Sequence, residues 1–590
     1  MIQTKTTFHF PGKGQLLGRA VSIVIELAIS MVLTVRSFSG TCRKRGLGMR
    51  GLAFLITMIF TSTQMQGGLP RASAIDMSVN ANTITQFLQD VTQMSNAELH
   101  HLMIVKDGYV ITEVHADPYR ANDPHNLFSA SKMLTALAVG LAVDDGSLSL
   151  DDKVVDFFPD KCPDSIMPEM AAITVRHLLT MTSGKQVKAS IRDTSNDWVA
   201  SWLALSGTGP GKTFAYDTMT SFMLSAIVQR ATGGTVLDLL QLRIMQPMGI
   251  TDVEWEQSPD GINTGGWGVR CSAETMAMLG QLLLQQGCWD GHQLISREWV
   301  SQMTTDQLST MGIEPSYANE YLCGYGYLMW RCSWETGYRT EGNLGQYVII
   351  DPSLNLVIVT CGAIPSQSRM LVPIKSFVQR LSNPESDPDS SDQQVLDDLC
   401  QNIQMDKVNG RLCNSIYPSA HFILSKNSMK IKELYLQQDY GNVQIVVVDE
   451  AGCCDTLSLG YNEWLFTPMH GKPCYNIGAR NRFSGMNRGF TAAGNFAWLS
   501  TEEIEIRIHH VDWYSAMTLL FNFSQSQLSI TYNHRPTWQE TVDFTMVPPA
   551  PANASVNGDV NGDDKVDISD VNSIISIIMT QGPERSVTQQ

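Results

Sequence analysis

The 590-residue chain is short of positive charge: 41 Lys and Arg stand against 58 Asp and Glu, for a net charge of −17. A protein that grips phosphate backbones needs a basic face. None of the Lys/Arg clusters is long enough to supply one, so nucleic acid is excluded as a partner. Long apolar runs are missing too. The two near the N-terminus, from Ala20 and from Gly51, fall short of the roughly 20 residues a membrane-spanning helix needs. Twelve cysteines occur without a single Cys-x-x-Cys pair, and Cys453 and Cys454 are adjacent, so zinc-ligand spacing is absent. Eleven of them lie beyond Cys42, which leaves at least one unpaired, and no disulfide framework can be assigned.

What is present suits a multidomain globular protein. At 43% hydrophobic residues, the chain can build two to four domains with cores of their own. The apolar run from Gly51 follows Met49-Arg50 and precedes "RASA", ending at Ala74: a charged start, apolar middle and small-residue cleavage site. Residues 1–74 are therefore read as leader and signal peptide, with the start at Met49, and the protein as exported to the periplasm, the cell surface or the medium. An N-terminal membrane anchor is the alternative.

From about residue 78 the pattern becomes mixed. "HLMIVKDGYVITEVH", from His101, reads as a hairpin turning at Asp107-Gly108. Leu134, Leu137, Ala138 and Leu141 mark one buried stripe of a helix that starts at Ser129 and closes at Gly146. "QYVIIDPSLNLVIVTCG", from Gln346, gives two more strands, and a helix follows to about Leu381. Strands at both ends with helices between predict an α+β domain over residues 78–382, with one antiparallel sheet flanked by helices and a helical subdomain. The polar, proline-bearing stretch 383–394 reads as a linker. Residues 395–547 alternate β-branched and aromatic residues with polar ones, which predicts an all-β, barrel-like domain. Residues 548–556 form a second linker, and residues 557–582 a short closing unit.

Ser129 and Lys132 stand one helical turn apart, on one face. A serine hydroxyl is a weak nucleophile until a base takes its proton. Lysine serves as that base only if burial or nearby positive charge pulls its pKa down from about 10.4. Alone, the pair is more often a helix cap and an exposed lysine. Its company is more telling. Tyr216 and Thr218 precede an apolar helix, and Thr340-Glu341-Gly342 opens a strand whose backbone amides could face a reacting carbonyl.

With "SASKMLTALAVGLAVDDGSLSLDDKV", "ITVRHLLTMTSG", "FAYDT", "GGWGVRCSAETMAMLGQLLLQQGCWDG", "YGYLMW" and "GNLGQYVIIDPSLNLVIV", residues 85–382 resemble the serine β-lactamase and penicillin-binding-protein superfamily. The resemblance points to its class C, esterase and 6-aminohexanoate-oligomer-hydrolase branch. It implies a serine hydrolase with Ser129 as acylated nucleophile, Lys132 as proton acceptor and Tyr216 as proton shuttle. The backbone amides of Ser129 and Asn343 would form the oxyanion hole, and Thr218, Thr340, Glu341 and Gly342 would line the substrate site. No cofactor is implied for catalysis. Thr218 departs from the family's usual Asn or Ser. Thr340 replaces the Lys or His that begins the third motif, so the cation expected to hold a β-lactam or peptide carboxylate is missing. Glu341 would add repulsion if it faced the cleft.

The β-rich region, chiefly "AAGNFAWLSTEEIEIRI", resembles a lipocalin-like accessory domain, with Trp464 and Trp498 as core aromatics. Residues 557–582 resemble one dockerin repeat. Asp559, Asn561, Asp563, the Lys565 carbonyl and Asp570 fall at the spacing of a calcium loop, which implies Ca²⁺ there and a docking partner for the repeat. The expected function is hydrolysis of a small ester or amide. The alternative is a catalytically weak penicillin-binding-like protein that binds or senses peptidoglycan peptides.

Overall fold

The computed structural model describes residues 68–547, apart from 187–189, 212, 309–318, 335, 367, 385–386, 413–418, 440–441 and 534, together with Ile568 and Val571. Residues 1–67 of the stretch read as leader, the stretch 548–556 read as a linker, and Asp559, Asn561, Asp563, Lys565 and Asp570, read as calcium ligands, lie outside the described residues. Within the described residues, no helix is long and apolar enough to cross a membrane, and the described cysteines other than Cys323 are free thiols.

The first domain begins with α1 (Ala81–Thr92), capped by the Asn80 side chain, which accepts from the Asn82 amide at 2.8 Å. Ile84, Phe87, Leu88 and Val91 share its buried face. Strands β1 (Glu98–Lys106) and β2 (Tyr109–His115) form the expected hairpin. Asp107 and Gly108 turn it with positive φ values of 52° and 84°, which match the right-handed twist of the strands. Next come α2 (Lys132–Asp144), α3 (Thr218–Thr232) and α4 (Ala273–Leu284). Strands β3 (Trp330–Arg331), β4 (Tyr338–Gly342), β5 (Gln346–Asp351) and β6 (Leu356–Ala363) follow, then α5 (Ser368–Ser382) and α6 (Ser390–Asn402).

The six strands make one antiparallel sheet in the order β2-β1-β6-β5-β4-β3, so the first and last long strands lie side by side. Alternation along β6 serves both faces. Val357, Val359 and Cys361 join the core shared with α2 and α4, and Leu356 and Ile358 the core under α1 and α5. On that second face Phe87 stacks on Phe377 with ring centroids 4.8 Å apart.

Two boundaries differ from the sequence expectation. The stretch read as linker contains the start of α6. Asp389 caps this helix by accepting from the Ser391 amide at 2.7 Å, and Leu396 is buried in the core with α1. The stretch 383–394 holds no apolar residue, and the helix's own apolar residues begin only at Val395, so the polar run did not betray the docked helix; the first strand of the β-rich domain begins only at Ser419. The "RASA" segment is likewise folded. The Val110 amide donates to the Pro70 carbonyl at 2.8 Å and the Ala72 amide to Val110 at 3.0 Å, while Arg71 pairs with Glu113 and Glu274 and Ala74 is fully buried. Cleavage after Ala74 would strip an edge from β2.

The second domain comprises β7 (Ser419–Leu424), β8 (Ile431–Asp439), β9 (Asn442–Asp449), β10 (Cys454–Tyr461), β11 (Leu465–Met469), β12 (Phe490–Trp498), β13 (Glu503–His510), β14 (Ala516–Asn522), β15 (Gln527–Tyr532) and β16 (Arg535–Val547). Nine of them close into a barrel, β10-β9-β8-β7-β16-β15-β14-β13-β12, sealed by a parallel β10–β12 seam, and β11 adds to β12 outside the ring. At the seam a Cβ on Gly494 would lie 2.6 Å from the Ser458 carbonyl, so only glycine lets the strands close. Ile504, Ile506 and Ile508 point inward between Glu503, Glu505 and Arg507, as the alternation predicts. Phe422, Phe521, Phe544 and Trp498 fill the interior. Trp464 is buried outside it, beside Met405 and Val511.

Candidate active site

Ser129 lies in a short 3₁₀ turn, Phe128–Ser131, that feeds directly into α2. The turn's flanks are buried while Ser129 itself is partly exposed, so solvent and substrate reach its hydroxyl. Lys132 opens α2 and is buried to 1% exposure. Its Nζ lies 3.1 Å from Ser129 Oγ, 3.5 Å from Thr218 Oγ1 and 2.8 Å from the Gly266 carbonyl.

These three partners match both charge states of the amine. The ammonium donates one proton to each oxygen. The neutral amine keeps two, for Gly266 and Thr218, and turns its lone pair to the Ser129 hydroxyl. Burial, aided by the charge of Arg192, pulls the Lys132 pKa down to about 7 against the opposing pull of Asp217 and Glu341. At neutral pH a large fraction of the amine is thus a free base.

Tyr216 and Thr218 stand on either side of Asp217, whose buried carboxylate caps α3 by accepting from the Met219 amide and the Thr220 hydroxyl, both at 2.9 Å. The cap fixes the entry of the chain and points both neighbours at Lys132. The Tyr216 ring lies 4.8 Å from Lys132 Nζ. It stacks on Trp330 at 5.7 Å. Burial pushes the Tyr216 pKa up, so it remains a phenol at neutral pH.

Strand β4 closes the opposite side. The Thr340 hydroxyl donates to the Ala130 carbonyl at 3.3 Å, and Gly342 abuts the Leu127 carbonyl. Asn343 follows at an exposed turn, its carbonyl accepting from Gln346 Nε2 at 3.0 Å. Glu341 is buried and ion-paired with Arg339 at 2.9 Å. Its charge therefore reaches Lys132 and Tyr216 as a field instead of standing open to the cleft.

The structure thus gathers Ser129, Lys132, Tyr216, Thr218 and the third-motif strand in one place. Sequence reasoning missed Gly266, Trp330 and Arg192. Gly266 and Trp330 lie inside two of the quoted motifs, GGWG and YGYLMW, but Gly266 acts through its backbone and Trp330 through a ring contact, and Arg192 belongs to no motif, so the motifs alone assigned none of them a role.

Residues 84–361 match the Beta-lactamase family model. The chain is 21% identical over 286 residues to a 6-aminohexanoate-dimer hydrolase of Paenarthrobacter ureafaciens, covering 45% of this chain and 72% of that protein. It is 28% identical over 168 residues to a lovastatin esterase of Penicillium rubens, covering 23% of this chain and 41% of the esterase. A solved penicillin-binding-protein homologue from Caulobacter crescentus aligns with a TM-score of 0.43 at 17% identity, over 53% of this chain and 99% of that one. Residues 84–361 thus form a domain of the β-lactamase-like serine hydrolase superfamily, followed in the same chain by a separate nine-strand β-barrel.

Proposed function

We propose that the chain hydrolyses small esters or amides through an acyl-enzyme on Ser129. The observation that carries this reading is the 3.1 Å approach of a buried, easily deprotonated Lys132 to a partly exposed Ser129, with the Tyr216 ring 4.8 Å from the same Nζ. Neutral Lys132 takes the Ser129 proton as Oγ attacks the carbonyl. The backbone amides of Ser129 and Asn343 receive the oxyanion. Tyr216 gives its proton to the leaving alkoxide or amine and recovers one from Lys132, so the amine ends neutral. Water then enters, loses a proton through the same pair, and releases the acid. The names of two relatives, a hydrolase of 6-aminohexanoate dimer and a lovastatin esterase, support amide and ester bonds as the class cleaved.

Labelling with a fluorophosphonate and peptide mapping test the assignment. Ser129 should carry the label, and Ser129→Ala should lose both label and turnover. A label on Ser131 or Ser183, or wild-type turnover in the variant, sinks it.

Three outer readings rest on sequence. The barrel is a lipocalin-like accessory domain, residues 557–582 take one calcium ion, and the chain is exported. Calorimetry of the full-length chain with Ca²⁺, compared with an Asp559→Ala variant, tests the second. N-terminal sequencing of exported protein tests the third, and a mature end later than Leu69 would contradict the packing of that segment against β2.

A further inference from the structure

The two amides proposed to receive the oxyanion each adjoin a residue in the left-handed region: Phe128, before Ser129, at φ 48°, and Leu344, after Asn343, at φ 64°. For a residue with a side chain this conformation costs roughly 1–2 kcal/mol, so packing outside the two turns must hold it in place. Both side chains are buried in a single apolar cluster, whose other members, Phe483, Met486, Phe490, Trp513 and Tyr514, all belong to the barrel domain. The Phe128 ring lies 4.7 Å from Tyr514 and 6.4 Å from Tyr475.

The barrel side of this contact is itself held. Residues 470–489 join β11 to β12 and run as a strap across the first domain. Tyr514 accepts from the Asn476 amide at 2.9 Å, and Trp513 donates to the Cys474 carbonyl at 3.1 Å, which ties the turn between β13 and β14 to the strap. Two carboxylates of the first domain clamp the strap from below. Glu256 accepts from the Tyr475 hydroxyl at 3.0 Å and the Phe483 amide at 3.1 Å. Glu254 accepts from the Asn487 and Arg488 amides at 2.8 and 2.7 Å.

We propose that the barrel is a positioning part of the acyl-transfer site: Trp513, Tyr514 and the strap hold Phe128 and Leu344 in their left-handed turns and so set the Ser129 and Asn343 amides for the oxyanion. The proposal rests on the reading that Ser129 is acylated. It separates from simple structural support because Lys132 and Tyr216 have anchors of their own, in Gly266, Thr218 and Trp330. Loosening the cluster therefore weakens an interaction made only in the transition state, which lowers kcat and leaves KM and the titration of Lys132 alone.

The test compares full-length wild type, Tyr514→Ala and Tyr514→Phe in fluorophosphonate labelling and in nitrophenyl acetate hydrolysis across pH. Tyr514→Ala should lose roughly ten- to a hundredfold in kcat, with KM within about twofold and the ascending pH limb unmoved, and Tyr514→Phe, which keeps the ring against Phe128, should stay near wild type. If Tyr514→Ala fails to melt cooperatively above the assay temperature, Tyr514→Leu takes its place under the same expectation. A labelled wild type with an unchanged kcat in the truncated variant overturns the barrel's role alone, as does a fall in kcat matched by a rise in KM or a shifted limb. An unlabelled wild type overturns the acyl-enzyme reading and the barrel's role with it.

Discussion

The carbonyl oxygen of Leu127 lies so close to Gly342 that a Cβ there would sit 2.1 Å from it. Strand β4 therefore packs its backbone directly on the segment that leads into Ser129, which only glycine permits. Gly342→Ala should push strand and turn apart and lower kcat at least about a hundredfold, since small misplacements near reacting groups cost on that order. A buried clash also destabilises, by about 1–3 kcal/mol. Kinetics combined with a thermal melt check this. A folded variant with near-wild-type kcat would mean that the strand does not set the site.

Lys132, with its pKa pulled to about 7, predicts a rate that rises through neutral pH as the amine deprotonates. Arg192 helps to lower that value. In Arg192→Gln the lost positive charge leaves the ammonium form more stable, so the Lys132 pKa rises and the ascending limb moves to higher pH. The pH profile of kcat for both proteins decides, and a limb that stays put or moves to lower pH removes Arg192 from the site's electrostatics.

Substrates that carry a carboxylate should fare poorly. Thr340 is neutral and spends its hydroxyl on Ala130, and Arg339 is already paired with Glu341. A lost charge-assisted hydrogen bond is worth about 1.5–3 kcal/mol, roughly one to two powers of ten in kcat/KM. Turnover of a nitrophenyl ester, nitrocefin and a D-Ala-D-Ala peptide by one preparation makes the comparison. If nitrocefin or the peptide has the highest kcat/KM, another cation holds the carboxylate, and Arg192, whose charge reaches Lys132, is the first to substitute.

Acid should unfold the protein. His100, His101, His125, His509 and His510 are buried, and burial lowers their pKa values, to about 3 for His100 and about 4 for His509 and His510. The first four face one another, Tyr119, Glu98 and, through His115, Glu113: His100 meets His125 at 3.0 Å and Glu98 at 3.3 Å, and His509 meets Tyr119 at 3.1 Å, while His510 meets the Ser515 carbonyl and hydroxyl at 2.9 Å. A group with a lowered folded pKa contributes stability that is present above the unfolded value, near 6.5, and lost as pH falls toward the folded one. At pH 5 that is about 2 kcal/mol for each of His100, His509 and His510, and His101 and His125 shift in the same direction. Glu256 opposes this: its pKa is raised to about 7, so its contribution is present below about 4.5 and lost as pH rises through 7. Asp512, raised by burial to about 6, acts in the same sense as Glu256. Five histidines outweigh two carboxyls, and the melting temperature should fall clearly from pH 7.5 to pH 5. An equal or higher value at pH 5 would show that the histidines are not buried neutral.

By itself the sequence determined what depends on near neighbours. The hairpin at Asp107-Gly108 follows from turn chemistry, the inward Ile504, Ile506 and Ile508 from alternation, and the shared face of Ser129 and Lys132 from the helical repeat. Tertiary structure decided the rest, because the partners are distant in the chain: Lys132 meets Thr218 and Gly266 across 86 and 134 residues, and Thr340 meets Ala130 across 210. No local pattern reports the burial that makes Lys132 a base, the Arg339 partner that occupies Glu341, or the docking of α6 through Leu396. Nor could it reveal that Phe128 and Leu344 would share one pocket in another domain. A pKa and a strained turn are set by everything packed around them, and only the folded chain brings those groups within reach.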